Sequence, residues 1–132
     1  MKILIVEPFF TGSHKAWAEG YAQSSSHEVE IINLPGRFWK WRMHGGAVTL
    51  AKRYHKLNFN PDLILATDML NLPVFQSLVK PECPVAIYFH ENQFTYPWSP
   101  NDVDVELQRD KHYGFINYSS ALSPDHVYFN SR

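Results

Sequence analysis

Cysteine is nearly absent. Cys83 is the single one in 132 residues, so no intrachain disulfide can form, which agrees with a reducing compartment. Cys83 precedes Pro84 at a strand start with no His or Asp beside it to activate it, and a buried, inert thiol is expected. Long apolar runs are also missing. The longest near the N-terminus, Ile3 to Val6, is too short for a signal peptide or a membrane span. A cytoplasmic, soluble protein with no membrane partner is the expectation. Neither sign of charge dominates: 12 basic residues face 13 acidic ones, a net of −1. That excludes a uniformly basic nucleic-acid module but leaves room for a local basic patch. The 6 glycines form neither Gly-x-Gly-x-x-Gly nor a phosphate loop with Gly-Lys-Ser/Thr, and no Gly-x-Ser-x-Gly elbow occurs. His27, His44, His55, His112 and His126 show no metal-ligand spacing. There is no internal repeat and no low-complexity stretch.

What remains has the composition of a globular domain, 45% hydrophobic and 19% charged. A single domain of this length buries about two-thirds of its unfolded surface and needs no staple. Aromatic residues reach 15%, with 4 Trp, more than a small core needs, so some rings should face a groove.

Short apolar runs predict strands at 2–7, 28–33, 62–67, 85–89 and 125–130. Pro8 closes the first run. Ser13 is placed to cap a helix reaching Ser24, with Trp17, Ala18, Tyr21 and Ala22 inward. Residues 36–46 read mostly as loop, followed by a helix over 47–57 and a shorter one over 70–79. A helix beginning at Asp102 or Asp104 should reach Leu122, with Leu107, Phe115, Tyr118 and Leu122 buried. Strands and helices thus alternate. The fold class is α/β, a Rossmann-like three-layer αβα sandwich around a parallel sheet of about five strands in order 2-1-3-4-5. The whole chain, 1–132, reads as one domain, and a sheet ending after its fifth strand reads as an incomplete unit.

Ligands of such sheets sit beyond the carboxyl ends of the strands, beside strand 1. That selects two loops. In Phe9-Phe-Thr-Gly-Ser-His14, Gly12 lets backbone approach a ligand, and His14 and Lys15 add donors at a helix N-terminus; a tight turn with an N-cap is the plainer reading. At the end of strand 4, His90-Glu91-Asn92-Gln93 packs four polar side chains together. His90 can donate to a substrate hydroxyl or a leaving-group oxygen, and Glu91 can accept a proton or fix the imidazole; a satisfied strand-end turn is the alternative. Arg37-Phe-Trp-Lys-Trp-Arg42 alternates cations and rings, which suits phosphates and stacked bases as well as a half-buried extended segment with charges outward. Lys52, Arg53 and Lys56 either extend that patch or form a solvated helix face. A response-regulator receiver shares this element order. Receiver chemistry needs an acidic pair after strand 1, where Glu7 is followed by Pro8 and Phe9. Asp68 lies one residue late for its acceptor, and His90 stands where Ser or Thr is required.

Five separated segments carry a family resemblance. They are Glu7-Pro-Phe-Phe-Thr-Gly-Ser-His-Lys15, Leu34-Pro-Gly-Arg-Phe-Trp-Lys-Trp-Arg42, Tyr88-Phe-His-Glu-Asn-Gln-Phe-Thr-Tyr-Pro97, Tyr113-Gly-Phe-Ile-Asn117 and Val127-Tyr-Phe-Asn-Ser131. In order and spacing they resemble the amino-terminal domain of the tRNA-queuosine α-mannosyltransferase family. The resemblance implies the first half of a GT-B enzyme that transfers mannose from GDP-mannose, with retention, to a queuosine hydroxyl in a tRNA anticodon. It implies no cofactor and no bound metal. Gly12, Ser13, His14 and Asn92 would serve the donor, His90 and Glu91 the reaction centre, and Arg37, Trp39, Lys40, Trp41 and Arg42 the tRNA acceptor. The donor-binding carboxyl-terminal half has no counterpart here, so this half is expected to be inactive alone. A non-catalytic RNA- or sugar-binding module is the competing expectation.

Overall fold

Ile3, Leu4, Ile5 and Val6 cannot share one side of a strand, because successive side chains alternate. Such a run is stable where helices cover both faces, at the centre of a parallel sheet. In the computed structural model all four are at most 2% exposed, each burial contributing roughly 1.5–3 kcal/mol. The structure describes residues 1–91, 102–106 and 111–130, and of 105 and 106 only the backbone. Its elements are β1 (Lys2–Phe10), α1 (Gly12–Ser24), β2 (Glu28–Pro35), α2 (Trp39–Lys56), β3 (Leu63–Thr67), α3 (Leu72–Val79), β4 (Val85–Phe89), α4 (Val103–Glu106), α5 (Lys111–Leu122) and β5 (His126–Phe129).

The five strands are parallel and ordered β2-β1-β3-β4-β5, as the alternation predicts. Leu4 and Val6 face α2 and α3, joining Leu50, Ile64, Phe75 and Ile87; Ile3 and Ile5 face α1 and Ala18. α2, α3 and α5 pack on one another on one face of the sheet, and α1 lies on the other. Together these form the three layers of a Rossmann-like sandwich. α1 leaves part of its face open as a groove of about 530 Å³ lined by Trp17, Tyr21, Leu65, Tyr88 and Tyr128, which accounts for several of the surplus rings. Among the described residues no helix is long and apolar enough to cross a membrane.

Four local expectations need correction. Pro8 does not close β1; pairing slips between Glu7 and Phe10 and resumes at Phe10 opposite Pro35. A slip in register accommodates the residue that lacks an N–H. Ser13 is not a cap: α1 starts at Gly12 after Thr11, whose side chain makes no cap bond. The stretch 36–46 is mostly helix, since α2 begins at Trp39 after Phe38 in left-handed backbone. Gly45 and Gly46 lie inside α2, and a Cβ on Gly46 would meet Pro8 and Leu34 at 3.4 and 3.5 Å, ordinary contact distances where α2 lies on β1 and β2. Finally, α5 buries Tyr113, Ile116, Asn117 and Ser120, while Phe115, Tyr118 and Leu122 stay exposed. Polar contacts set that rotation. Ser120 Oγ accepts from Leu72 N at 3.1 Å and donates to Leu70 O at 3.2 Å, satisfying backbone where α3 begins. Leu107 and residues 92–101 lie outside the described residues.

Candidate functional site

Glu7 ends the apolar run of β1 and is fully buried. A buried carboxylate needs donors, and two are in place. Phe9 N–H donates to Oε1 at 3.0 Å, and His14 Nδ1 donates to Oε2 at 3.2 Å. Gly12 makes the second bond possible: its φ of +53° turns the chain sharply into α1, and His14 falls inward in the first turn. The far nitrogen of that ring, Nε2, lies 3.5 Å from Glu91 Oε1, just beyond β4. Burial disfavours the imidazolium. The hydrogen bonds to Glu7 and Glu91, with the negative charges of Glu7 and Asp68, outweigh it and raise the His14 pKa to about 10. His14 is a fixed cation at neutral pH.

Asp68 follows β3 and is 1% exposed. Its Oδ1 accepts the His90 backbone N–H at 3.1 Å, and its carbonyl accepts from Asn117 Nδ2 at 2.8 Å. Burial, then the charge of Glu91, push its carboxyl up to about 7, against the opposing pull of His14 and the His90 N–H. Thr67 Oγ1, Asp68 Oδ2 and His90 Nε2 are buried without a hydrogen-bond partner among the described residues. The His90 ring lies 4.1 Å from that of His14, centroid to centroid, and meets Trp17 and Tyr88 edge-on at 5.2 and 5.0 Å. Burial, followed by the positive His14, lowers the His90 pKa. Two imidazoles in contact thus hold opposite states, one charged and one neutral. Environments that push paired groups apart in this way suit a division of labour in catalysis. Glu7, His14 and His90, or His14, Asp68 and Glu91, bring potential metal-ligand atoms within 4.8 Å of one another. A protonated His14 bridging two carboxylates already supplies that cluster with a cation.

The structure therefore joins His14, His90 and Glu91 at the ends of β1 and β4, with Gly12 and Ser13 on the exposed rim beside them. Among the described contacts of the Glu91 carboxylate, the ion pair is with His14 rather than His90. Asn92 lies outside the described residues. The basic and aromatic segment sits apart, at the start of α2. Lys40 is matched by Asp102 at 2.8 Å and Asp104 at 2.5 Å, and Trp39 packs on Tyr113 at 5.0 Å. Arg42 Nε donates to Pro35 O at 3.2 Å, while Arg37 and Trp41 are exposed. Sequence reasoning missed Glu7 and Asp68 as members of the site. Their signal is local: Glu7 ends the buried apolar run within β1 and Asp68 directly follows β3, beside the switch between β1 and β3.

Comparison with known proteins bears on this arrangement. The family model described as tRNA-queuosine alpha-mannosyltransferase N-terminal matches residues 2–132. A tRNA-queuosine alpha-mannosyltransferase of Drosophila melanogaster is 36% identical over 137 residues, covering 98% of this chain and 34% of that relative. The chain thus spans about a third of the length of the curated relative it matches. No solved structure matches it. On the extent of both matches, the chain belongs to the tRNA-queuosine alpha-mannosyltransferase family, as its N-terminal domain.

Proposed function

We propose that residues 1–132 form the acceptor-side domain of a cytoplasmic, retaining GT-B glycosyltransferase. It transfers mannose from GDP-mannose to a hydroxyl of queuosine in a tRNA anticodon, and a carboxyl-terminal half holds most of the donor. The observation that supports this best is the contact between His14 and His90, which brings the loop after β1 and the end of β4 to one rim.

The chemistry follows from their charge states. Departure of a nucleoside diphosphate develops negative charge on its phosphate oxygens, and a preorganised cation beside free backbone N–H groups stabilises it. His14, held positive between Glu7 and Glu91, supplies the cation. Gly12 and Ser13 open α1 with N–H groups that have no partner inside the helix. His90 is neutral and can offer Nε2 to a sugar hydroxyl. Glu91 keeps His14 charged rather than accepting the acceptor's proton, and Asn92 serves the donor. Arg37, Trp39, Trp41 and Arg42 offer charge and rings to RNA, with Lys40 set among its acidic partners.

One wall of a cleft cannot enclose both the sugar cation and the leaving group, so this domain alone is inactive. Exposed Phe115, Tyr118, Leu122 and Phe129 give apolar area that further polypeptide would cover. The test is turnover of GDP-mannose with queuosine-containing tRNA by this chain and by the longer enzyme. Only the longer enzyme should turn over, and there His90→Ala should lower kcat by about 10²- to 10⁴-fold while tRNA affinity stays within about threefold. Robust turnover by the isolated chain, or equal loss of kcat and affinity, would refute the reading. Tight tRNA binding by the longer protein without turnover would mark a non-catalytic module.

A further inference from the structure

We propose that Asp68 is a further positioning residue of this site, holding the main chain of His90 at the end of β4, and that Asn117 holds Asp68 in turn. Its link to catalysis rests on the transfer reading above; its structural content does not.

Pairing between β4 and β5 reaches Phe89 opposite Phe129, and His90 is the residue after it. A backbone N–H leaving a sheet must find an acceptor or meet water. Asp68 Oδ1 meets it at 3.1 Å from across the neighbouring strand end. That bond sets where the backbone turns, and hence where the imidazole points. Asp68 is itself restrained. Asn117 Nδ2 donates to its carbonyl at 2.8 Å, and both residues are at most 2% exposed. One chain of hydrogen bonds therefore runs from α5 through the end of β3 to the end of β4. The remaining carboxyl oxygen, Oδ2, is buried with no partner among the described residues. An ordinary core position would not retain a carboxyl group on those terms, whereas one that aims a neighbouring ligand-binding residue would.

The experiment is amide hydrogen exchange of the 132-residue chain by NMR, with Ile87 in the middle of β4 as the internal reference. Asp68→Ala should speed exchange of the His90 amide by about tenfold or more while Ile87 changes by less than about threefold. Asp68→Asn keeps an oxygen at the acceptor position and should restore His90 to within about threefold of the parent. An unmoved His90 amide, or equal acceleration at His90 and Ile87, overturns the proposal. Should Asp68→Ala fail to fold, Asn117→Ala carries the test: it leaves the carboxyl group in place and should still speed His90 selectively, and no change there overturns the proposal too. In the longer enzyme Asp68→Ala should lower kcat without raising KM for tRNA, with recovery in Asp68→Asn. Selective exchange effects without turnover in any form, the parent included, would uphold the positioning role and count against the transfer reading instead.

Discussion

Asp68→Asn is expected to stabilise the folded chain at pH 8 and to do so less as the pH falls. Burial, followed by the charge of Glu91, lifts the Asp68 carboxyl from 3.8 to about 7. The folded state therefore binds a proton more readily than the unfolded state between those values. By linkage, stability falls as pH rises through that window and levels off above it. The cost of the charged form at pH 8 is roughly 4 kcal/mol, at 1.36 kcal/mol for each tenfold change. Asparagine removes the charge and keeps an acceptor for His90 N–H. It also loses the attraction of His14 and buries an amide N–H₂ where Oδ2 has no partner, which takes back about 1–3 kcal/mol. The net gain is about 1–3 kcal/mol at pH 8, or a Tm rise of roughly 4–12 °C for a domain of this size. Urea unfolding followed by tryptophan fluorescence at pH 5, 6, 7 and 8 measures it. A variant less stable than the parent at pH 8, or a difference that does not grow from pH 5 to 8, would refute the reasoning.

Three further substitutions test other parts of the structure. His14 has its pKa raised from 6.5 to about 10, so its contribution to stability is complete below 6.5 and is lost as pH climbs through 10; Glu7→Gln should pull that pKa down in an NMR titration and cost about 1–3 kcal/mol at pH 7, and an unmoved His14 titration would break the assignment. On α5, Ile116→Ala should cost about 2–4 kcal/mol, whereas Phe115→Ser should change stability by no more than about 0.5 kcal/mol, and the reverse order in chemical denaturation would show that the helix buries its other face.

Much of the fold is legible along the chain because its causes are local. Ile3 to Val6 and Val85 to Phe89 are apolar over more than one alternation, which only a covered parallel strand accommodates. Their alternation with helices then restricts the order of the sheet to few choices. The two loops beside the switch point, carrying Gly12, His14, His90 and Glu91, follow from that order. The rotation of α5 does not, because hydrophobicity favours Phe115, Tyr118 and Leu122, while the buried face is chosen by what Asn117 and Ser120 can satisfy on other segments. The start of α2 was equally hidden, since Gly45 and Gly46 are poor helix formers along the chain, and only in space does that stretch pack on Pro8 and Leu34.

The amino-acid sequence alone determined which segments become strands, their order, the rim that carries the polar loops and the family. Only the tertiary structure decided which polar groups meet: that His14 is clasped by Glu7 and Glu91, that Asp68 grips the backbone of His90, and that Lys40 is matched by Asp102 and Asp104. The reason is physical. Strand formation depends on neighbours a few residues away, whereas the charge of a buried side chain depends on partners far along the chain that only folding brings within hydrogen-bonding distance.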